Sequence, residues 1–585
     1  MTPSFNMGAA EKLSTWQWIA ALVLIGLAVS LPRGLGLASF VSVDEPKWLE
    51  RSANFYLALS QRDLAGTFTR EHPGVTITWA GLAGFLTSYP DYVRQATGRF
   101  DEPQEMEQFF RANGRNPLQV LEASRIIVVL QVTLILLAAF VEAVRLVGVW
   151  PALIGFLLIA FDPFYVGLSR LLHPSGLMST LMFLSLLAYL AFILRGRRWA
   201  DLVLSGVSAG LAWLSESPAF FLAPFILVLT LIEVGRMFYT QRKMSARVLW
   251  SQAWPVLAWV STGLVVYFLL WPAMWVNPIG TVERVLGQAS LYAQEGHTSD
   301  VFFDGRIIST DERKAFTEHA GKFLFPASYL GRRFYLVNYA WRTTPVVLVG
   351  LLLVAPGLLF YRKQGGNQVL TWTVLALLLF ATLFTLFMSL GSKKFDRYLL
   401  PVFLPLDLVA GIGLFLGTSW LAGRLASRWA RLAVGLTLGA AIMLQALTVV
   451  RTYPYYLSYY NPLMGGSGRA PRVMMVGWGE GLDQAARYLN AKPEAPSLRV
   501  MAWYPDGSFS YFFNGETNGS QPEWEPTRLE LEDIDYVVTY VNQWQRQLPF
   551  PEMLNALQGL APERVIELNG IEYARIYDIR NFSFK

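Results

Sequence analysis

The sequence predicts a polytopic α-helical membrane protein with about eleven transmembrane helices, followed by a C-terminal soluble α/β domain. Three observations carry that reading. Of 585 residues, 54% are apolar or aromatic and only 15% are charged, with a mean hydropathy of +0.36, outside the range of soluble globular chains. Several apolar runs reach spanning length, which takes about 20 residues at 1.5 Å per residue. Beyond residue 450 the apolar runs stop and charged residues return.

The spans are expected near 16–37, 124–146, 150–168, 176–194, 202–215, 218–235, 253–275, 344–361, 369–390, 398–418 and 432–450. The first, WQWIAALVLIGLAVSLPRGLGL, is long and no small-x-small cleavage site follows it, so it reads as a retained helix. The short basic loops RGRR (195–198), RMFYTQRKMSAR (236–247), YRK (361–363) and GRLASRWAR (423–431) fall on one face by alternation, and that face is read as cytoplasmic. The other face receives the loops 38–123 and 276–343, the turn at 391–397 and the tail. Residues 1–450 are thus expected to form one membrane domain and 451–585 a separate extracytoplasmic one. The stretch VTITWAGLAGFLTSY (75–89) is too short to cross, and is expected either to lie in the interface or to pack inside the outer loop.

In the tail, RVMMVGWG (472–479), LRVMAWYP (498–505) and IDYVVTYV (534–541) read as strands and GLDQAARYLNA (481–491) as a helix. RVIELNGIEYARIYDI (564–579) reads as a hairpin turning at Asn569 and Gly570. The glycines of GWGEGL do not follow the GxGxxG spacing and read as a turn before a helix.

Chemistry-bearing residues concentrate on the outer face. SVDEPKWLE puts Asp44 and Glu45 where the chain leaves its first span. GSKKFDRYLLPVFLP packs Lys393, Lys394 and Arg397, with Tyr398, into a turn on the side where positive charge is normally avoided. A phosphate accounts for such a cluster, since Lys and Arg give charge-assisted hydrogen bonds to its oxygens. Lipid headgroups or snorkelling side chains are the plainer alternative. His72 in EHPGVTITW, Arg170 and His173 in FDPFYVGLSRLLHP, Arg125 at the end of the second span and Arg342 in NYAWRTTP join them, and ionisable groups at membrane depth tend to mark substrate paths. All four histidines, His72, His173, His297 and His319, fall outside. A divalent metal is conceivable there, but no metal-binding spacing supports one, and there is no cysteine. The net charge of +6 follows from loop bases and does not imply nucleic acid.

Taken in order, DEPKW, HPGVTITW, FDPFYVGLSRLLH, LWPAMWVNP, FYLVNYAWRTTP, KKFDRYLLPVFLP, YYLSYYNPLMGG and GWGEGLDQAARYLN resemble the bacterial dolichyl-phosphate-mannose protein mannosyltransferases (glycosyltransferase family 39). That family lies within the GT-C superfamily, which also contains the lipid A aminoarabinose transferases. The resemblance implies a GT-C fold in the plasma (inner) membrane that moves a sugar from a polyprenyl-phosphate donor to an outer hydroxyl on a glycan, lipid or protein. It implies Asp44 as general base, with Glu45 beside it. Inverting transfer needs a carboxylate to take the acceptor proton and cations to steady the departing phosphate; Asp44 suits the first role, and Lys393, Lys394, Arg397 and the Tyr398 hydroxyl the second. Two positions depart from the family pattern: Ser175 where Asp is common, and SESP, with Glu216, where a TKSP-like string is frequent. They point to a different acceptor or sugar, a compensating swap of charges, or lost activity. A transporter of lipid-linked sugars and an inactive binding scaffold are the other readings, although no internal repeat favours the transporter.

Overall fold

The computed structural model describes residues 14–241, 245–297, 299–312, 331, 333–422, 429–518, 534–549, 551–580 and 582. Each expected span is helical over most of its length. Among the described residues nine helices are long and apolar enough to cross a membrane, while Val149–Ala160 and Trp199–Ser215 are shorter. At 12 residues the former covers about 18 Å. The expected span 150–168 is broken because Asp162 accepts a hydrogen bond from Tyr165 N at 2.7 Å and Pro163 begins a new turn, Pro163–Leu168. The basic segments 236–247 and 423–431 lie partly outside the described residues, as does His319.

Pro117–Val147 shows why the long helices start and stop where they do. The Asn116 side chain accepts from Leu118 N, Pro117 needs no amide partner, and Gly148 ends the helix at φ 88°. Pro174–Leu194 and Leu400–Ala422 are buried on all sides and form the centre of the bundle. Val149–Ala160 and Pro345–Lys363 close on Leu400–Ala422 through small residues: a Cβ on Gly411 would strike the Gly155 backbone, and one on Gly413 the Gly350 carbonyl. Leu24, Leu27 and Leu31 of the first helix remain exposed, the apolar face a bilayer covers. The stretch 75–89 is the helix Val75–Ser88, with Ile77, Ala80 and Phe85 buried against Glu45–Ser60 and Pro117–Val147; it packs inside the outer loop.

The C-terminal region holds a five-stranded sheet ordered Glu516–Asn518, Arg499–Ala502, Tyr536–Tyr540, Ile571–Asp578, Arg564–Leu568. Its first three strands run parallel, and the hairpin turning at Asn569 and Gly570 adds two antiparallel ones. The helix is Leu482–Asn490. The segment 472–479 is not a strand. Gly477, Gly479 and Gly481 all take positive φ, and a Cβ on Gly479 would strike the Val41 carbonyl, so this segment is a loop laid on the chain just before Asp44. Val43 N donates to the Trp478 carbonyl at 3.2 Å.

Candidate active site

Asp44 precedes the helix Glu45–Ser60, and its side chain makes no capping hydrogen bond there. The carboxylate instead receives Arg397 Nη2 at 3.1 Å and lies 3.7 Å from His173 Nε2. His173 accepts from Ser175 N through Nδ1 at 3.3 Å, which leaves the Nε2 proton directed at Asp44. Burial pushes the Asp44 carboxyl up, but His173, Arg397 and Lys47 outweigh it and hold the group well below the usual carboxylate range. The rings of Trp48 and Trp478 flank His173, and the Arg397 guanidinium lies 4.7 Å over Trp478.

Glu45 points the opposite way. Fully buried, it pairs with Arg125 through both oxygens and accepts from Ser42 N at 2.9 Å and Leu172 N at 2.8 Å. Arg125 also donates to the carbonyls of Leu37 and Phe40. The pair therefore clamps the first outer loop to two helices and has no reach toward the Asp44 carboxylate. Removing one partner strands the other charge, so Glu45→Gln is expected to cost about 3–5 kcal/mol of stability, read as a lower thermal midpoint in nanodiscs. Arg170 likewise turns away, donating to Leu35 O at 2.6 Å under the Tyr456 ring.

The basic turn divides its charges. Lys394 folds back onto the carbonyls of Ser389 (2.7 Å) and Met388, closing the end of Gln368–Leu390, and burial lowers its ammonium to about 8. Lys393 faces the neighbouring cavity, 3.8 Å over the Tyr292 ring. Arg342 donates twice to Asp396 Oδ2, at 2.7 and 3.0 Å, and once to Leu457 O, between the rings of Phe164 and Tyr460; it fastens the turn to the C-terminal region.

Two cavities flank this arrangement. One, of about 370 Å³, is lined by His72, Glu216, Tyr292, Lys393 and Tyr398 on one side and by Phe387, Met388 and Leu390 of a spanning helix on the other. The second, of about 200 Å³, contains Asp44 and Arg397 and extends to the C-terminal region. Among the described residues no three His, Asp or Glu side chains come together as a metal-binding group.

Residues 118–270 match the family model for dolichyl-phosphate-mannose-protein mannosyltransferase. Over those residues the chain is similar to that mannosyltransferase family. The match spans Arg125, Arg170, His173, Ser175 and Glu216. Solved structures with a likeness to the chain include ArnT from Cupriavidus metallidurans bound to undecaprenyl phosphate, at 14% identity over 96% of this chain and 98% of that one, TM-score 0.47. They also include the archaeal oligosaccharyltransferase AglB from Archaeoglobus fulgidus in complex with an inhibitory peptide and a dolichol-phosphate, at 12% over 90% and 70%, TM-score 0.44. The S. cerevisiae protein O-mannosyltransferase Pmt1-Pmt2 complex bound to the sugar donor follows at 14% over 48% and 36%, TM-score 0.35. The search of curated proteins returned no match.

Within the mannosyltransferase-like segment the two departures meet. Ser175 Oγ donates to Glu216 Oε2 at 2.9 Å, and Glu216 Oε1 lies 3.3 Å from His72 Nε2. Burial works against the Glu216 carboxylate, but His72 and His173 hold its pKa down. A hydroxyl, a carboxylate and an imidazole are thus joined in one chain of contacts. Ser175→Asp, setting a second buried carboxylate against Glu216, is expected to destabilise the protein by about 3 kcal/mol or more. Ser175→Asp combined with Glu216→Lys is expected to restore most of the lost thermal midpoint.

Sequence reasoning passed over Lys47, Arg51 and Trp478. Arg51 covers the Trp48 ring at 4.4 Å, and its buried Nε has no hydrogen-bond partner among the described residues. Lys47 and Arg51 sit one and two helical turns past Asp44, a spacing visible in DEPKWLER. Trp478 arrives from the far end of the chain and carries no local signal.

Proposed function

We propose that the protein transfers a sugar from a polyprenyl-phosphate donor to an acceptor hydroxyl with inversion, Asp44 acting as general base. The single observation that carries this reading is the Asp44 carboxylate held against Arg397 and His173 in the lining of the smaller cavity.

The larger cavity suits the donor. Its apolar side is spanning-helix surface for a prenyl chain, and Lys393, Tyr398 and His72 offer donors for the phosphate. Arg397 lines the smaller cavity, and its guanidinium lies 5.6 Å over the ring of Tyr398, which lines the larger one. When a donor phosphate enters, Arg397 shifts part of its attraction from Asp44 to the phosphate, and the added negative charge raises the Asp44 pKa. The carboxylate thereby gains basicity only with donor in place. It then takes the proton of the acceptor hydroxyl as that oxygen attacks the anomeric carbon, and the leaving phosphate departs into the cations. The site lies at the outer, extracytoplasmic side of the plasma (inner) membrane, an orientation supported by the basic loops at the opposite ends of the helices.

The test uses the purified protein in nanodiscs with a panel of radiolabelled polyprenyl-phosphate sugars and membrane extract as acceptor. One donor is expected to be consumed with release of polyprenyl phosphate. Donor that binds and crosses the bilayer with its sugar still attached would replace this reading with transport.

A further inference from the structure

The smaller cavity separates the catalytic carboxylate from the C-terminal sheet region, and its two walls come from the two parts of the chain. Asp44, Arg397 and the Arg342–Asp396 pair form one wall; Trp478, Glu480, Tyr504, Asn542 and Arg546 form the other. We propose that this cavity is the acceptor subsite and that it takes a neutral sugar ring, so that the acceptor hydroxyl belongs to a carbohydrate. This rests on the transfer reaction proposed above.

Four features point to a sugar. First, the charges cancel: three carboxylates, Asp44, Asp396 and Glu480, face three guanidiniums, Arg342, Arg397 and Arg546, and most are already committed. Asp44 holds Arg397, Asp396 holds Arg342, and Glu480 Oε2 accepts from Trp478 N at 2.6 Å. A phosphorylated or strongly acidic acceptor finds no surplus of positive charge here.

Second, the wall offers aromatic surface beside fixed polar groups. Trp478 is half-buried, and Tyr504 also lines the cavity. Asn542 is locked in orientation: its Oδ1 accepts from Trp503 Nε1 at 2.8 Å, and its Nδ2 donates to Gly477 O at 3.1 Å and to Tyr504 Oη at 2.8 Å. Because Tyr504 Oη accepts that bond, its own O–H is left to donate. Rings that cover C–H faces, together with rigid single donors and acceptors, match the alternating apolar and hydroxyl character of a sugar.

Third, the cavity does not offer what an extended peptide uses. Peptides are commonly held by main-chain pairing to a sheet edge, and the edge strands of this sheet, Glu516–Asn518 and Arg564–Leu568, contribute nothing to the lining. Fourth, about 200 Å³ is single-ring space. Arg546 of this wall is tied to the second outer loop, its Nη1 donating to Ser299 Oγ at 3.2 Å.

The experiment is donor-free binding. Saturation-transfer NMR is recorded on the full chain in nanodiscs with methyl glycosides of glucose, galactose, mannose and N-acetylglucosamine, with their octyl glycosides, and with a Ser/Thr-containing peptide. At least one glycoside is expected to bind, to lose its signal in Trp478→Ala, to keep most of it in Trp478→Phe, and to weaken about five- to tenfold in Tyr504→Phe, a change of one hydroxyl. Thermal midpoints of all variants are measured alongside, and Tyr504→Phe remains decisive if Trp478→Ala does not fold. Octyl glycosides binding more tightly than methyl ones assign the acceptor to a glycolipid; equal binding assigns it to a free glycan. The proposal is overturned if no glycoside binds, if binding is indifferent to Trp478 and Tyr504, or if the peptide alone binds in a Trp478-dependent way. Because no donor is present, glycoside binding without donor turnover would sink the transfer reading and leave the subsite standing, and turnover without glycoside binding would do the reverse.

Discussion

Asp44→Asn is expected to abolish sugar transfer while leaving donor binding in place. The amide keeps the size of the side chain and a partner for Arg397 but cannot take a proton. General-base catalysis typically contributes about 10²–10⁴-fold, so kcat is expected to fall at least that far with donor Kd changing little. Because no side-chain cap is lost, the thermal midpoint is expected to stay near that of the wild type. Single-turnover measurement with a consumed donor separates the two effects. A variant that neither binds nor folds would return Asp44 to a structural role.

Arg397→Ala is expected to be nearly as damaging, with a different signature. Arg397 holds Asp44 down in the free protein and is assigned the donor phosphate in the complex, so its removal weakens donor binding and costs about 10²–10³-fold in kcat. The pH dependence carries the sign. Asp44 works as the carboxylate, and the free protein holds its pKa below the usual carboxylate range. The acid limb of kcat/KM for the wild type is therefore expected below about pH 4. Losing Arg397 removes one of the interactions that lower the pKa while burial still raises it, so the limb moves to higher pH. Arg397→Lys keeps the charge and is expected to move it less. An unmoved limb in both variants would separate Arg397 from Asp44.

Both effects depend on an arrangement that the sequence disclosed unevenly. The spans were legible because a run of about 20 apolar residues has few fates other than a membrane helix. The break at Asp162 was written in FDP, but the apolar residues on either side concealed it. Asp44 and the basic turn stood out since each sits where the surrounding pattern disfavours it. How the turn divides its charges was not legible: in a non-helical turn neighbouring side chains diverge, and Lys394 is claimed by the carbonyls of the helix before it while Lys393 faces the cavity.

Long-range pairing was the larger gap. Arg397 meets Asp44 across 353 positions and Arg125 meets Glu45 across 80, and nothing in one sequence says that adjacent acids will take separate partners. Ser175 and Glu216 show the useful side of this limit. Each was read singly, whereas the hydrogen bond between them makes them one unit. GWGEGL was read for its glycines, correctly as a turn, but that turn also sets Trp478 against His173 and Arg397.

The central claim is that Asp44 activates the acceptor and does not itself bond to the sugar. It is tested most directly by the anomeric configuration of the first product, recorded by NMR before any mutarotation or further processing, with a polyprenyl-phosphate sugar of known configuration as donor. A base at Asp44 permits a single displacement and predicts inversion. Retention would mean that a side chain first bonds to the anomeric carbon, and would contradict the account.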